Sequence, residues 1–123
     1  MDSRIPNKRT GGVMNFEIQQ QSDITIVEVT GQLIVGNRQE LKDNVLGLLD
    51  RGSRKFLIDF SDTAYIDSSG LGVLVGLSKK IREKGGEMRL SNLNEDLRTL
   101  FELTKLDTLF LIADSRDQAL ENF

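Results

Sequence analysis

From Phe16 onward the hydrophobic pattern switches repeatedly between strand-like and helix-like spacing. "FEIQQQ" and "ITIVEVTG" are short β-rich runs split by Ser22-Asp23, which predicts a hairpin whose second strand ends at Gly31. In "NRQELKDNVLGLLDRG" the period changes. Leu41, Val45, Leu48 and Leu49 recur at helical spacing between Asn37 as cap and Gly52 as stop. "KFLIDF" is a continuous apolar run interrupted only by Asp59, the pattern of a central strand buried on both faces. "SSGLGVLVGLSKKIREKGG" is helical again, with Leu71, Leu74, Leu77 or Ser78, and Ile81 as its apolar stripe and Gly85-Gly86 as its end. "EMRLSN" predicts a strand and "NEDLRTLFELTKL" a helix started by an Asn or Ser cap. "LFLIA" predicts the last strand and "SRDQALENF" a last helix capped by Ser115 or Asp114. Two strands followed by alternating helix and strand imply an α/β sandwich with a mixed sheet, of about 4–5 strands and about 4 α-helices.

The pattern is absent from residues 1–15, which hold the only proline, the adjacent Gly11-Gly12 and little apolar content. They are expected to be a disordered tail, leaving 16–123 as one domain.

Composition narrows the function more than the fold. The 123 residues, 38% hydrophobic and 28% charged, are enough for one real core. Net charge is -3 with the two signs interspersed, so there is no basic patch to attract nucleic acid. Without cysteine there is no disulfide framework and no thiolate chemistry. Without histidine the commonest general base and the commonest metal ligand are missing. No apolar run approaches the ~18 to 20 residues that span a bilayer, and the N-terminus has no signal-peptide core. The expectation is a soluble, cytoplasmic protein without a membrane partner.

Candidate chemistry concentrates in "YIDSSGLGVL", where Asp67, Ser68, Ser69 and Gly70 precede an apolar run. Asp and Ser are preferred N-caps, so the bland reading is a capped helix, with Gly70 and Gly72 allowing close packing or a tight entry. A hydrolase serine needs a base, and the nucleophile elbow needs glycine two residues before the serine; Ser69 has Asp67 there and Ser68 has Ile66. A Ser–Lys pair with Lys79 or Lys80 would have to reach two to three turns along the helix. The spacing Gly70-x-Gly72-x-x-x-Gly76 departs from the dinucleotide fingerprint, and Gly76 reads better as a small residue under a close neighbour. Asp59, Asp62 and Asp67 could hold Mg²⁺ if they converged, but turn and cap roles account for Asp62 and Asp67. No catalytic residue, metal or cofactor is expected. The switch reading has positive support. A serine at a helix N-terminus sits near free backbone N–H groups, where phosphorylation adds roughly -1.5 to -2 charges beside Asp67. That charge would repel a partner fitted to the neutral surface without refolding the helix.

Ile58-Asp59-Phe60-Ser61-Asp62 and Tyr65-Ile66-Asp67-Ser68-Ser69-Gly70-Leu71-Gly72-Val73 together resemble the signature of bacterial anti-sigma factor antagonists, single STAS domains of the sporulation and general-stress type. Lys79-Lys80-Ile81-Arg82 leading to Gly85-Gly86-Glu87-Met88-Arg89-Leu90, and Leu97 through Leu106, are similar to the family too, so the likeness runs from about Phe16 to Phe123. Thr63 stands where an aliphatic residue is common and Ile66 where Met is frequent. The resemblance implies a non-catalytic binding switch. On that likeness the unphosphorylated protein is expected to bind an anti-sigma factor that is also a serine kinase, which would free a sigma factor. By the same resemblance, phosphorylation of Ser69 is expected to break the complex and a PP2C-type phosphatase to restore it. Ser68 maps to the unmodified neighbour, and Asp62 and Asp67 to acids near the kinase contact. The helix face from Gly70 to Gly76, with Leu71, Gly72 and Val73, maps to the docking surface. STAS domains also serve as subunits of stress-sensing or transporter-associated complexes, which is the alternative.

Overall fold

A computed structural model describes residues 15–123. In chain order, β1 (Phe16–Gln21) and β2 (Ile24–Leu33) form the hairpin. Then α1 (Arg38–Asp50), β3 (Lys55–Ile66), α2 (Ser68–Glu83) and β4 (Glu87–Ser91) alternate. They are followed by α3 (Glu95–Leu103), a 3₁₀ turn at Leu106–Thr108, β5 (Leu111–Ala113) and α4 (Arg116–Leu120). The sheet has five strands in sequence order; β1 pairs antiparallel with β2 and all other pairs are parallel. The mixed α/β sandwich expected from the sequence is therefore the fold.

The burial pattern explains the layers. Phe56, Ile58 and Phe60 of β3 point to one face, where they meet Leu41 and Val45 of α1, Leu74 and Ile81 of α2, and Leu97 and Phe101 of α3. Phe101 packs edge-to-face on Phe110 at 6.1 Å between ring centres. Leu57, on the opposite face, joins Ile24, Ile26, Ala113 and Ala119 under the short α4. β3 lies in the middle of the sheet, as its apolar run, interrupted only by Asp59, predicted.

Several boundaries differ from the sequence reading, for identifiable reasons. Gly31 does not end β2. Its φ of +85° marks an irregularity, and the strand continues to Leu33. β3 runs past Phe60 to Ile66, because two register shifts against β2 hide the alternation in "SDTAYI". β5 is only Leu111–Ala113, and Leu109 and Phe110 precede it. α3 stops at Leu103, and Lys105 then adopts a left-handed φ of 64°. Of the expected tail, Asn15 is tied to β2. Its carbonyl accepts from Thr30 N–H at 2.7 Å and its amide donates back to Thr30 O at 3.0 Å. Residues 1–14 lie outside the described residues.

Candidate functional site

The ends of β2 and β3 and the start of α2 meet at one corner of the sheet. Asp67 is the N-cap of α2. One carboxylate oxygen accepts from Gly70 N–H at 2.8 Å, and the other accepts from Val35 N–H at 3.0 Å in the loop between β2 and α1. Asp67 N–H itself donates to Leu33 O at 3.1 Å. One aspartate thus fastens the helix, the strand end and the loop together. Asn37 precedes α1, but its side chain caps no helix N–H. It accepts from Ile34 N–H and donates to Gln32 O, so it shapes the same loop.

Because Asp67 does the capping, the two serines are left over. Ser68 is exposed and Ser69 half-buried in the first turn of α2. Neither hydroxyl has a hydrogen-bond partner among the described residues. Both side chains sit where backbone N–H groups are only partly used and the helix dipole favours added negative charge. Asp67→Ala should cost about 0.5 to 2 kcal/mol for the lost cap, measured by urea unfolding. An unchanged midpoint would refute its structural role.

The remaining motif residues divide by orientation. Gly70 and Leu71 are buried. A Cβ at Gly70 would stand 2.5 Å from Leu33 O and 2.9 Å from Leu33 Cγ, so only glycine lets the helix start this close to β2. Gly72 and Gly76 are exposed, and Val73 is half-buried. A Cβ at Gly76 would meet nothing within 4 Å, so the expected close neighbour over Gly76 is absent and the residue instead faces open space. Asp62 is exposed and pairs with Thr30 in the sheet ladder. It lies within β3, five residues before Asp67, which follows the strand's end, on the order of 15 Å away along the chain, so it flanks the corner instead of sharing Ser69's loop.

The three aspartates do not converge. Asp59, only 1% exposed, lies under α4 and accepts from Ser91, Asn92, Ser61 and Arg116 at 2.8, 2.6, 2.8 and 2.9 Å. Burial pushes its carboxyl up, but the bonds from Asn92, Arg116, Ser61 and Ser91 outweigh that and hold it below its ordinary value. Arg116 also bonds Glu28. Among the described residues no three acidic side chains are grouped to hold a metal ion. Lys79 and Lys80 sit ten or more residues along the unbroken α2, about 15 Å or more from Ser69, so the Ser–Lys pair does not form.

Two features escaped the sequence reading. Val35 (63% exposed) and Tyr65 (55% exposed) are large apolar side chains in the segments that Asp67 joins. The visible signal for Val35 was an aliphatic pair, Ile34-Val35, placed in a turn instead of an element. The second feature is a groove of about 350 Å³ between α1 and α2, floored in part by Gly72 and Gly76. It requires the two helices to be laid side by side, which no local pattern states.

A family profile described as STAS domain matches residues 15–119. The chain belongs to the STAS domain family. It is 32% identical over 100 residues to an anti-sigma-B factor antagonist of Bacillus subtilis, covering 81% of this chain and 91% of that protein. Its fold matches the crystal structure of a candidate anti-sigma factor antagonist from Thermotoga maritima with a TM-score of 0.82 and 32% identity, over 86% of this chain and 92% of that one. The Bacillus cell fate determinant SpoIIAA in its phosphorylated form shares the fold with a TM-score of 0.70 at 17% identity, over 86% of this chain and 96% of that one. As a STAS domain, the chain has its D-S-S-G segment at the start of α2, on a corner where cap, loop and strand end are held by Asp67. No helix of the described residues is long and apolar enough to cross a membrane.

Proposed function

We propose that this STAS protein is an anti-sigma factor antagonist, working in the cytoplasm without catalysis of its own. In its unphosphorylated form it binds an anti-sigma factor that is also a serine kinase, and so frees a sigma factor. The kinase phosphorylates Ser69 and ends the complex, and a PP2C-type phosphatase reverses the modification. The domain that does this is 16–123, preceded by residues 1–15.

The observation that carries the reading is the unused Ser69 hydroxyl in a first turn already capped by Asp67. A phosphate there need not break a cap to be added. It would place about two negative charges beside Asp67, whose carboxylate holds the Val35 N–H of the neighbouring loop. Partner contact is assigned to Ser68, Ser69, Gly72, Val73 and Gly76, flanked by Asp62 and Asp67. Gly70 and Leu71 act by position, setting the helix against β2. Choosing Ser69 over Ser68 rests on its place in the motif. The names of the two relatives at 32% identity support the partner class.

The test is a pull-down from native-host lysate with wild type, Ser69→Ala and Ser69→Glu as baits, the bound proteins being identified by mass spectrometry. A small ATP-binding kinase should come down with the first two baits and not with Ser69→Glu. Stoichiometric phosphorylation of Ser69→Ala by that kinase would refute the assignment. Recovery of the same transporter or sensor subunits by all three baits would move the protein to those assemblies.

A further inference from the structure

We infer that the groove between α1 and α2 is the seat of an acidic amphipathic helix of the partner. This deepens the antagonist reading and rests on it, because it names the part of the partner that the α2 face receives.

Charge is the first argument. Arg38 and Lys42 stand on the α1 wall, one turn apart, and Lys80 stands on the α2 wall. None of the three side chains has an ion-pair or hydrogen-bond partner among the described residues, and no carboxylate among those residues lines the groove. Yet the chain as a whole carries a net charge of -3. Three unpaired cations gathered in one depression of an acidic protein fit an anionic occupant.

Depth and shape supply the second argument. Leu46 and Leu77 give the trough apolar surface, while Gly72 and Gly76 leave part of its floor without side chains. A Cβ at either glycine would meet nothing within 4 Å. Glycine in a helix interior weakens the helix, and no internal packing here offsets that. α1 and α2 each return from one parallel strand to the next, so they run side by side in one direction and bound a straight trough. From Gly72 to Lys80 the trough is about 12 Å long, which matches two to three turns of a third helix. Such a helix would lay an apolar rib over the glycines and turn carboxylates toward Arg38, Lys42 and Lys80.

The groove and the switch are continuous. Ser69 precedes Gly72 by three residues and Val73 by four, so all three share one face of α2. A phosphate on Ser69 would stand at the mouth of the groove, repelling the occupant's carboxylates and competing with them for Arg38.

The test has two arms, both on the full chain. In the first, ¹⁵N-labelled protein is titrated with a lactam-bridged helical peptide carrying a Leu rib flanked by Glu. Two controls accompany it, the same peptide with Lys for Glu and the Glu peptide with a central Pro. Shifts should cluster on residues 38, 42, 46, 72, 73, 76, 77 and 80, and both controls should bind at least tenfold more weakly. The double variant Lys42→Glu/Lys80→Glu should invert the preference. Equal binding of the Glu and Lys peptides, or shifts centred elsewhere, would overturn the inference.

The second arm uses the purified kinase recovered by the Ser69→Ala bait. Lys42→Glu/Lys80→Glu and Gly76→Leu, which fills the floor, should each raise its Kd at least tenfold, with no fall in Tm for Gly76→Leu. If both leave Kd within twofold of wild type while Ser69→Glu abolishes binding, the groove assignment falls and the switch stands. If the groove variants lose binding and Ser69→Glu does not, the switch falls and the groove stands.

Discussion

Asp59→Ala should be among the most damaging single substitutions in the domain, lowering the free energy of unfolding by about 3 kcal/mol and Tm by about 10 °C. Asp59 is essentially inaccessible and accepts from four side chains, on β3, at the end of β4 and just after it, and on α4. Truncation leaves the buried Ser91 hydroxyl and the half-buried Asn92 amide without their acceptor, and stranding the Ser91 donor away from water costs more than its bond is worth. Arg116 retains Glu28 and is partly exposed, so its charge is not stranded, and the loss belongs at the lower end of the range for a broken buried pair. A loss below 1 kcal/mol by urea unfolding would mean that the network is reorganised around the missing carboxylate.

The same carboxylate fixes the sign of an acid dependence. Its folded-state pKa lies below the ordinary 3.8, so the native state binds its proton less readily than the unfolded chain does. Its contribution is therefore complete above the unfolded pKa and is lost as pH falls through the lower, folded value. Wild type should lose stability below about pH 4, and Asp59→Asn, which cannot titrate, should show a shallower acid limb. Identical limbs would remove Asp59 from the account.

What the sequence disclosed and what it hid follow the range of the interactions. The Ser22-Asp23 turn, the stripe Leu71, Leu74, Leu77, Ser78 and Ile81, and the cap at Asp67 were legible because each depends on residues within one or two turns. Ser115 likewise caps α4 by accepting from Gln118 N–H. Asp59 was visible only as an anomaly in an apolar run. A buried carboxylate demands partners, but nothing local points to Arg116, 57 residues away. The second half of β3 was hidden because the register shifts break the period-2 pattern. Of the site, the corner was legible and the groove was not. Arg38 and Lys42 look like solvated charges on one helix until α2 is placed beside them.

Gly70→Ala and Gly76→Ala should move stability in opposite directions, though both replace glycine by a better helix former in the same helix. At Gly76 the new methyl meets nothing, so the gain in helix propensity, about 1 kcal/mol or less, is kept. At Gly70 the methyl would lie 2.5 Å from the Leu33 carbonyl oxygen and 3.0 Å from Ile66 Cγ2. A backbone carbonyl cannot turn aside as a side chain can, and this one also accepts from Asp67 N–H. To make room, α2 must pull away from β2, weakening the bond from Asp67 N–H and the bonds its carboxylate accepts from Gly70 and Val35. The expected net loss is about 1 to 3 kcal/mol, with a loss of Ser69 phosphorylation by the cognate kinase because the first turn is displaced. Urea midpoints at equal m-value report the first effect, and the phosphorylation rate at a temperature where both variants are folded reports the second. A Gly70→Ala protein as stable as Gly76→Ala would show that the close approach to Leu33 is not what requires glycine there. A stable Gly70→Ala protein phosphorylated at the wild-type rate would separate the setting of the helix from recognition of Ser69.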